Sequence, residues 1–184
     1  MGYVYLYTGT GAGKTTNGLG LALRSVGHHR KVVIIQFLKW RKDIGEYKVK
    51  DRLKPYYEIY QFGRPVWLGE KKKTAEFGGQ SFDVEAFTEE DKELANKGLE
   101  FAKKILREEK PNLLVLDEIN LVAHWGLVDI KNITDLLEDL PEETDVVLTG
   151  RYTPRRLIEK ADFVNVIETI KAPKEFEITE GIQY

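Results

Sequence analysis

Six short runs of apolar, β-branched and aromatic residues, each bounded by turn-forming or charged positions, recur at 3–8, 31–37, 56–62, 112–117, 145–149 and 163–170. Their length predicts strands. Val32-Val33-Ile34-Ile35 and Leu113-Leu114-Val115-Leu116 are apolar throughout instead of alternating, the pattern of parallel strands covered on both faces. Between the runs the period lengthens to that of a helix. Residues 15–26 set Leu19, Leu23 and Val26 on one stripe, with Gly27 placed as the C-terminal cap. Thr88-Glu89-Glu90-Asp91 opens a long helix to about residue 109, its cap hydroxyl and acidic first turn suited to the helix dipole, and Pro111 closes it. Asp129 caps a helix to Leu140, and Thr153-Pro154 supplies a cap and an N1 proline before a short helix ending near Ala161.

Strands alternating with helices predict an α/β class, a mostly parallel sheet with helices on both faces. Two stretches show neither period. Residues 38–53 and 63–87, the latter with Lys71-Lys72-Lys73 and Gly78-Gly79, are expected to be long loops, a length at which loops serve as lids or as solvated excursions.

Composition narrows the partners. With 184 residues and no repeat, low-complexity segment or linker, the chain is expected to form a single domain over 1–184. The 28 Lys and Arg against 30 Asp and Glu leave a formal charge of −2, so no global field attracts nucleic acid or an anionic membrane. Zero cysteines exclude disulfides, zinc-thiolate sites, iron–sulfur clusters and thiol nucleophiles. No basic n-region precedes Tyr3-Val4-Tyr5-Leu6-Tyr7, and no apolar run reaches about eighteen residues, so a soluble cytoplasmic protein is expected. Function must come from a local site.

That site begins at Gly9-Thr10-Gly11-Ala12-Gly13-Lys14-Thr15-Thr16, between the first strand and the first helix. A glycine-rich turn there exposes successive backbone N–H groups, and the helix adds the positive end of its dipole. Nucleoside triphosphate fits such a cradle. Lys14 supplies a point charge to the outer phosphates, and the Thr15 hydroxyl is the expected Mg²⁺ ligand. The α/β class is thereby of the P-loop (RecA-like) kind. One position departs from the usual pattern, because Thr8 stands where the first glycine belongs and that glycine follows one place later.

Leu113-Leu114-Val115-Leu116-Asp117-Glu118 delivers two carboxylates at the C-terminal end of a strand, where open parallel sheets bind their ligands. One can hold Mg²⁺, the other can act as a base or a further ligand. Arg151, ending another strand, is placed to pair with phosphate or ribose, and His124 and Trp125 follow closely enough to line the same cleft. His28 and His29 fall in a turn and read as solvated. These motifs alone leave ATPase, nucleoside kinase and nucleotide switch open.

Further segments follow in order: Gln36-Phe37-Leu38-Lys39, Leu148-Thr149-Gly150-Arg151, Ala161-Asp162 and Gly181-Ile182-Gln183-Tyr184. Together with Thr8 to Thr16 and Leu116-Asp117-Glu118, they resemble the corrinoid adenosyltransferases of the cobalamin pathway, the cob(I)yrinic acid a,c-diamide (ATP:cob(I)alamin) adenosyltransferase family. The resemblance spans nearly the whole chain. It implies that a cob(I) corrinoid attacks the 5′ carbon of ATP and expels tripolyphosphate, with Lys14, Thr15, Glu118, the loop from Thr8 to Thr16 and Mg²⁺ on Thr15, Asp117 and Glu118 stabilising the departing charge. Cobalt is then the nucleophile, consistent with a chain lacking cysteine and any Asp-x-His-x-x-Gly corrinoid-ligand motif.

The same resemblance implies an electron donor, protein or flavin, that reduces cobalt(II), and a homodimer. It makes aromatic residues after the third strand, here Phe62 and Trp67, candidates to exclude the axial ligand, and His124 and Trp125 candidates for corrinoid contact. Two differences stand out. Ala12 replaces a lysine found in many relatives, and the chain opens at the first strand without the extension that covers the partner's site in some members. Either closure is then supplied by 38–53 and 63–87, or the site is more open. A P-loop ATPase or nucleoside kinase with Glu118 polarising the acceptor, and a nucleotide-dependent binding module without turnover, are the alternatives.

Overall fold

The computed structural model describes residues 2–65, 72–77, 80–85, 87–173, 177 and 179–182, with only the backbone described for 72–77 and 80–85. Each predicted strand forms. β1 (Val4–Thr8), β2 (Val32–Phe37) and β3 (Tyr57–Phe62) are joined by β6 (Leu113–Asp117), β7 (Asp145–Thr149) and β8 (Phe163–Val166) after an intervening hairpin of β4 (Lys72–Phe77) and β5 (Gln80–Glu85). The six form one sheet of order β3-β2-β6-β7-β1-β8, and every pair is parallel. Register pairs Gln36 with Asp117 and Tyr7 with Thr149, so the C-terminal ends of β1, β2, β6 and β7 share one edge.

Helices cover both faces, as the apolar runs require. α1 (Lys14–Gly27), α2 (Gly45–Lys48) and a 3₁₀ turn (Val49–Arg52) lie over Val32, Ile34, Val115 and Val147. On the other face α3 (Glu89–Glu108), α4 (Ile119–His124), α5 (Ile130–Glu138) and α6 (Arg155–Lys160) enclose Val33, Ile35, Leu114, Leu116, Val146 and Leu148. Alternate residues of each central strand therefore enter opposite cores.

Several local expectations change. Of the expected stripe of α1, Leu19 and Val26 are partly buried against the core, but Leu23 is 61% exposed and the fully buried positions are Lys14, Gly18 and Ala22. Gly18 explains this: a Cβ there would lie 3.2 Å from Val115 Cγ1, so the helix sits too close to the sheet for larger side chains. Gly27 ends α1 but does not cap it; His29 takes the left-handed conformation, φ 56°. Both His28 and His29 are exposed. Pro154 is the N-cap of α6, not its first residue, with ψ 140°. Asp129 does cap α5, accepting from the Lys131 amide at 2.8 Å.

The two expected long loops carry structure of their own. Residues 38–53 contain α2 and the 3₁₀ turn, and much of 63–87 is the antiparallel hairpin, in register from Lys72↔Glu85 to Phe77↔Gln80. Short elements without a full amphipathic period escape pattern reading. Lys71, Gly78 and Gly79 lie outside the described residues.

Asp91, in the first turn of α3, accepts from the Thr88 amide at 2.8 Å and hydroxyl at 3.0 Å, and from Arg64 Nε at 3.0 Å and Nη2 at 2.8 Å. Burial raises its pKa, but Arg64 and Thr88 outweigh that and hold it below its unfolded value of 3.8. Its contribution to stability is thus complete above that value and is lost as pH falls through the folded-state pKa. Asp91→Asn is expected to cost about 1–3 kcal/mol at neutral pH and to flatten the loss of stability between about pH 5 and pH 2, read from urea midpoints.

Candidate functional site

The glycine loop turns immediately past the last ladder pair of β1. Thr8 still pairs with Val166, and its carbonyl accepts from the Ile167 amide at 2.8 Å, so position 8 belongs to the strand. The turn starts at Gly9, φ 102°, where a Cβ would lie 2.3 Å from the Ile167 carbonyl oxygen. Gly11 follows against Glu168 and donates its amide to Ile167 at 2.8 Å. The displaced first glycine is therefore where the loop passes under the backbone that follows β8, an approach only glycine permits. Gly13, φ 103°, starts α1, and Thr10, Ala12 and Thr16 are exposed along the loop.

Lys14 is buried, and its ammonium donates to the Gly11 carbonyl. Burial lowers its pKa and the charge of Arg151 adds to this, against Glu118 and Asp117. Both effects destabilise its charge until an anion arrives. Thr15 donates its hydroxyl to Asp117 Oδ1 at 2.8 Å, joining the loop to the end of β6 two strands away.

Asp117 is 1% exposed and saturated with donors. Oδ1 accepts from Thr15 and, at 2.7 Å, from Thr149; Oδ2 accepts from Gln36 at 3.1 Å and from Lys39 at 2.8 Å. Burial pushes its pKa up, but Lys39 and the two hydroxyls overcome this and keep it below the ordinary carboxylate range. Glu118 goes the other way: burial first, and then the neighbouring Asp117, raise its pKa. Its backbone is left-handed, φ 66°, with the amide held by Thr149 Oγ1 at 3.0 Å, and its Oε2 is buried without a hydrogen-bond partner. A carboxylate left so is stabilised by an incoming cation.

Gly11, Ala12, Gly13, Lys14, Thr15, Thr16 and Glu118 face a cavity of about 1130 Å³ whose walls also include Lys39, Glu46 and Arg151, whereas Asp117, Thr8, Gly9 and Thr10 are not in its wall. Of the other predicted residues, His124 is exposed with its ring 5.1 Å from Tyr152, and Trp125 packs on Phe87 at 4.3 Å. Phe62 packs on Phe101 and against the backbone of Gly98. None of the three lines this cavity. Trp67 lies outside the described residues.

Pattern reading passed over Gln36, Thr149, Lys39 and Glu46 as site residues. A signal for the first two is present, since Gln36 is the penultimate residue of β2 and Thr149 the last of β7, each a buried polar residue after a run of buried apolar ones. Glu46 gives none, because it depends on α2 folding back to accept from Gln36 at 3.1 Å.

Thr15, Asp117 and Glu118 offer hydroxyl and carboxylate oxygens, the donor set of a small hard divalent cation, and the buried Oε2 of Glu118 supplies the unsatisfied acceptor that such an ion would meet. Among the described residues no group of three or more His, Asp or Glu converges on one point, so further ligands would come from phosphate and water. Among them, too, no helix is long and apolar enough to cross a membrane.

Fold and site define an α/β protein with a glycine-rich loop and an acidic strand end at the C-terminal edge of a parallel sheet. Residues 1–184 match the family described as ATP:corrinoid adenosyltransferase BtuR/CobO/CobP, and the chain belongs to that family, a family of transferases. A corrinoid adenosyltransferase of Sinorhizobium sp is 34% identical over 94% of this chain and 74% of its own length. One of Escherichia coli strain K12 is 27% identical over 92% of this chain and 78% of its own. Corrinoid adenosyltransferase CobA of Salmonella typhimurium is 25% identical over the same shares.

Thr149 Oγ1 ties Asp117 to the Glu118 turn, donating to Asp117 Oδ1 and accepting from the Glu118 amide. Thr149→Val keeps the shape but leaves the Glu118 amide without its acceptor and Asp117 short of a donor, so the unfolding free energy from urea titration is expected to fall by about 1–3 kcal/mol. Hydrogen exchange at the Glu118 amide should accelerate with it.

Proposed function

We propose that the protein transfers the 5′-deoxyadenosyl group of ATP to a cob(I) corrinoid and releases tripolyphosphate, in cobalamin synthesis or salvage. The observation that carries this reading is one cavity lined by Lys14, Thr15 and Glu118, with Asp117 held behind Thr15 and Lys39, in a chain of the corrinoid adenosyltransferase family. The cobalt–carbon bond forms as the bond between C5′ and the triphosphate oxygen breaks, and the electron pair of that bond leaves with the triphosphate. Catalysis is then stabilisation of a departing polyanion.

The chain's own groups divide that task. Within the loop from Thr8 to Thr16, the amides from Ala12 onward, at the N-terminus of α1, hold the phosphates, since Gly11 gives its amide to Ile167 and Thr8 belongs to β1; Lys14 places its ammonium among them, and Arg151 adds a planar fork from beyond the end of β7. Thr15, Asp117 and Glu118 would hold Mg²⁺, which when bound neutralises charge on the phosphate oxygens. Lys14 is desolvated, so its charge acts at low dielectric and is worth more than in water. No side chain serves as the nucleophile.

Corrinoid contacts belong to the same proposal. Trp67, His124 and Trp125 are assigned to the corrinoid side, whereas the packing of Phe62 on Phe101 supports an indirect contribution through the wall behind it. The reading also includes one nucleotide-binding domain, a cytoplasmic homodimer, and a flavin or protein electron donor for cobalt(II).

The deciding experiment mixes protein, ATP, Mg²⁺ and chemically reduced corrinoid under anaerobic, light-shielded conditions. An alkylcobalt spectrum with stoichiometric tripolyphosphate is expected. ADP and phosphate without that spectrum would show a hydrolase or kinase instead, and ATP left intact with every corrinoid offered would show a binding module. Lys14→Met should lower kcat by about 10²–10³. Trp67→Ala should impair turnover from cobalt(II) more than from pre-reduced cobalt(I), and equal losses would remove it from the axial face.

A further inference from the structure

Lys39 follows the end of β2, and two backbone features fix its root. Leu38 is left-handed, φ 60°, with its amide held by the Phe62 carbonyl at 3.0 Å, and Gly63 approaches so closely that a Cβ there would lie 2.5 Å from the Lys39 nitrogen. The chain is thereby bent off the sheet, and the Lys39 side chain returns over its edge. Its ammonium ends 2.8 Å from Asp117 Oδ2 and 3.8 Å from Glu46 Oε1, in the wall that also holds Lys14 and Glu118.

Asp117 cannot take a direct metal ligand role while all four donors remain on it. Thr149 and Gln36 are fully buried, and Gln36 is further fixed by Glu46 and by donation from Gln61 at 3.0 Å. Thr15 is held in the first turn of α1, and its hydroxyl oxygen can meet a cation while the hydrogen stays on Asp117. Lys39 is the donor with room to leave: its side chain is 29% exposed, and a flexible four-carbon stem carries a charge that suits phosphate as well as carboxylate. A divalent cation at Asp117 and Glu118 would also repel an ammonium at 2.8 Å, and a triphosphate beside it would attract one.

We propose that Lys39 is a transferable counter-ion: it neutralises Asp117 until the nucleotide enters, and then turns onto the triphosphate, passing the carboxylate to the divalent cation. This rests on the reading of the loop as a triphosphate site. It makes Lys39 a group that contacts the leaving triphosphate, in addition to Lys14. A fixed ion pair would instead keep Lys39 on Asp117 throughout.

Calorimetric titration with ATP and with inorganic tripolyphosphate, each with Mg²⁺, on wild type, Lys39→Met, Lys39→Arg and Lys14→Met tests this without turnover. Lys39→Met should weaken tripolyphosphate binding about tenfold or more, and Lys39→Arg should retain most of it. Lys39→Met should also bind Mn²⁺ alone severalfold more tightly, because the competing charge is gone. A Lys39→Met protein that melts earlier yet binds tripolyphosphate as wild type does would make the pair static and overturn the proposal. In wild type, the Lys39 ammonium signal in a ¹⁵N-lysine spectrum should shift on adding Mg²⁺ and tripolyphosphate; an unmoved signal overturns it even where the variants fold poorly. Wild type that binds neither ATP nor tripolyphosphate would overturn the loop reading and this proposal with it. Weakening in Lys14→Met alone would overturn this proposal only.

Discussion

One buried carboxylate organises the molecule. Removing the charge of Asp117 from water costs several kcal/mol unless partners replace the water. Here the partners come from the start of α1, the end of β2, the residue after Leu38 and the end of β7. None of these segments adjoins Asp117 in sequence. A slip of any neighbouring strand by one residue would reverse its faces and withdraw its donor, so the charge enforces the register that the apolar cores favour.

A recurring device at the site is backbone proximity bought with glycine. Gly9 and Gly11 lie under residues 167–168, Gly18 rests against β6, and Gly63 lies against the bend at Leu38. Each allows a turn or helix to come nearer than a Cβ would permit, which is how small elements bring Lys14 and Lys39 to the edge of the sheet. The positive φ at Leu38 and Glu118, neither of them glycine, costs about 1 kcal/mol or more apiece and is held by the surrounding structure.

Much of this was legible in the chain. The apolar runs located every strand of the main sheet, and the glycine loop and Asp117-Glu118 stood at strand ends, where parallel topology brings them together. What pattern could not supply was long-range: Glu46 meets Gln36 only through α2, and four residues are too few to show a period. The stripe of α1 misled because close packing favoured Gly18 and Ala22 over leucine, reversing the rule that larger apolar residues face inward. The departure at Thr8 carried no local explanation because its hydrogen bond to Ile167 joins opposite ends of the sequence.

That last contact has a temporal meaning. The phosphate-type cradle is encoded within the first sixteen residues, yet its floor is the backbone of Ile167 and Glu168, so the cradle is unfinished until the final strand docks beside β1. During synthesis, an emerging chain would carry the whole motif for most of its length without the surface that shapes it. The shape of the loop thus depends on β8 being in place.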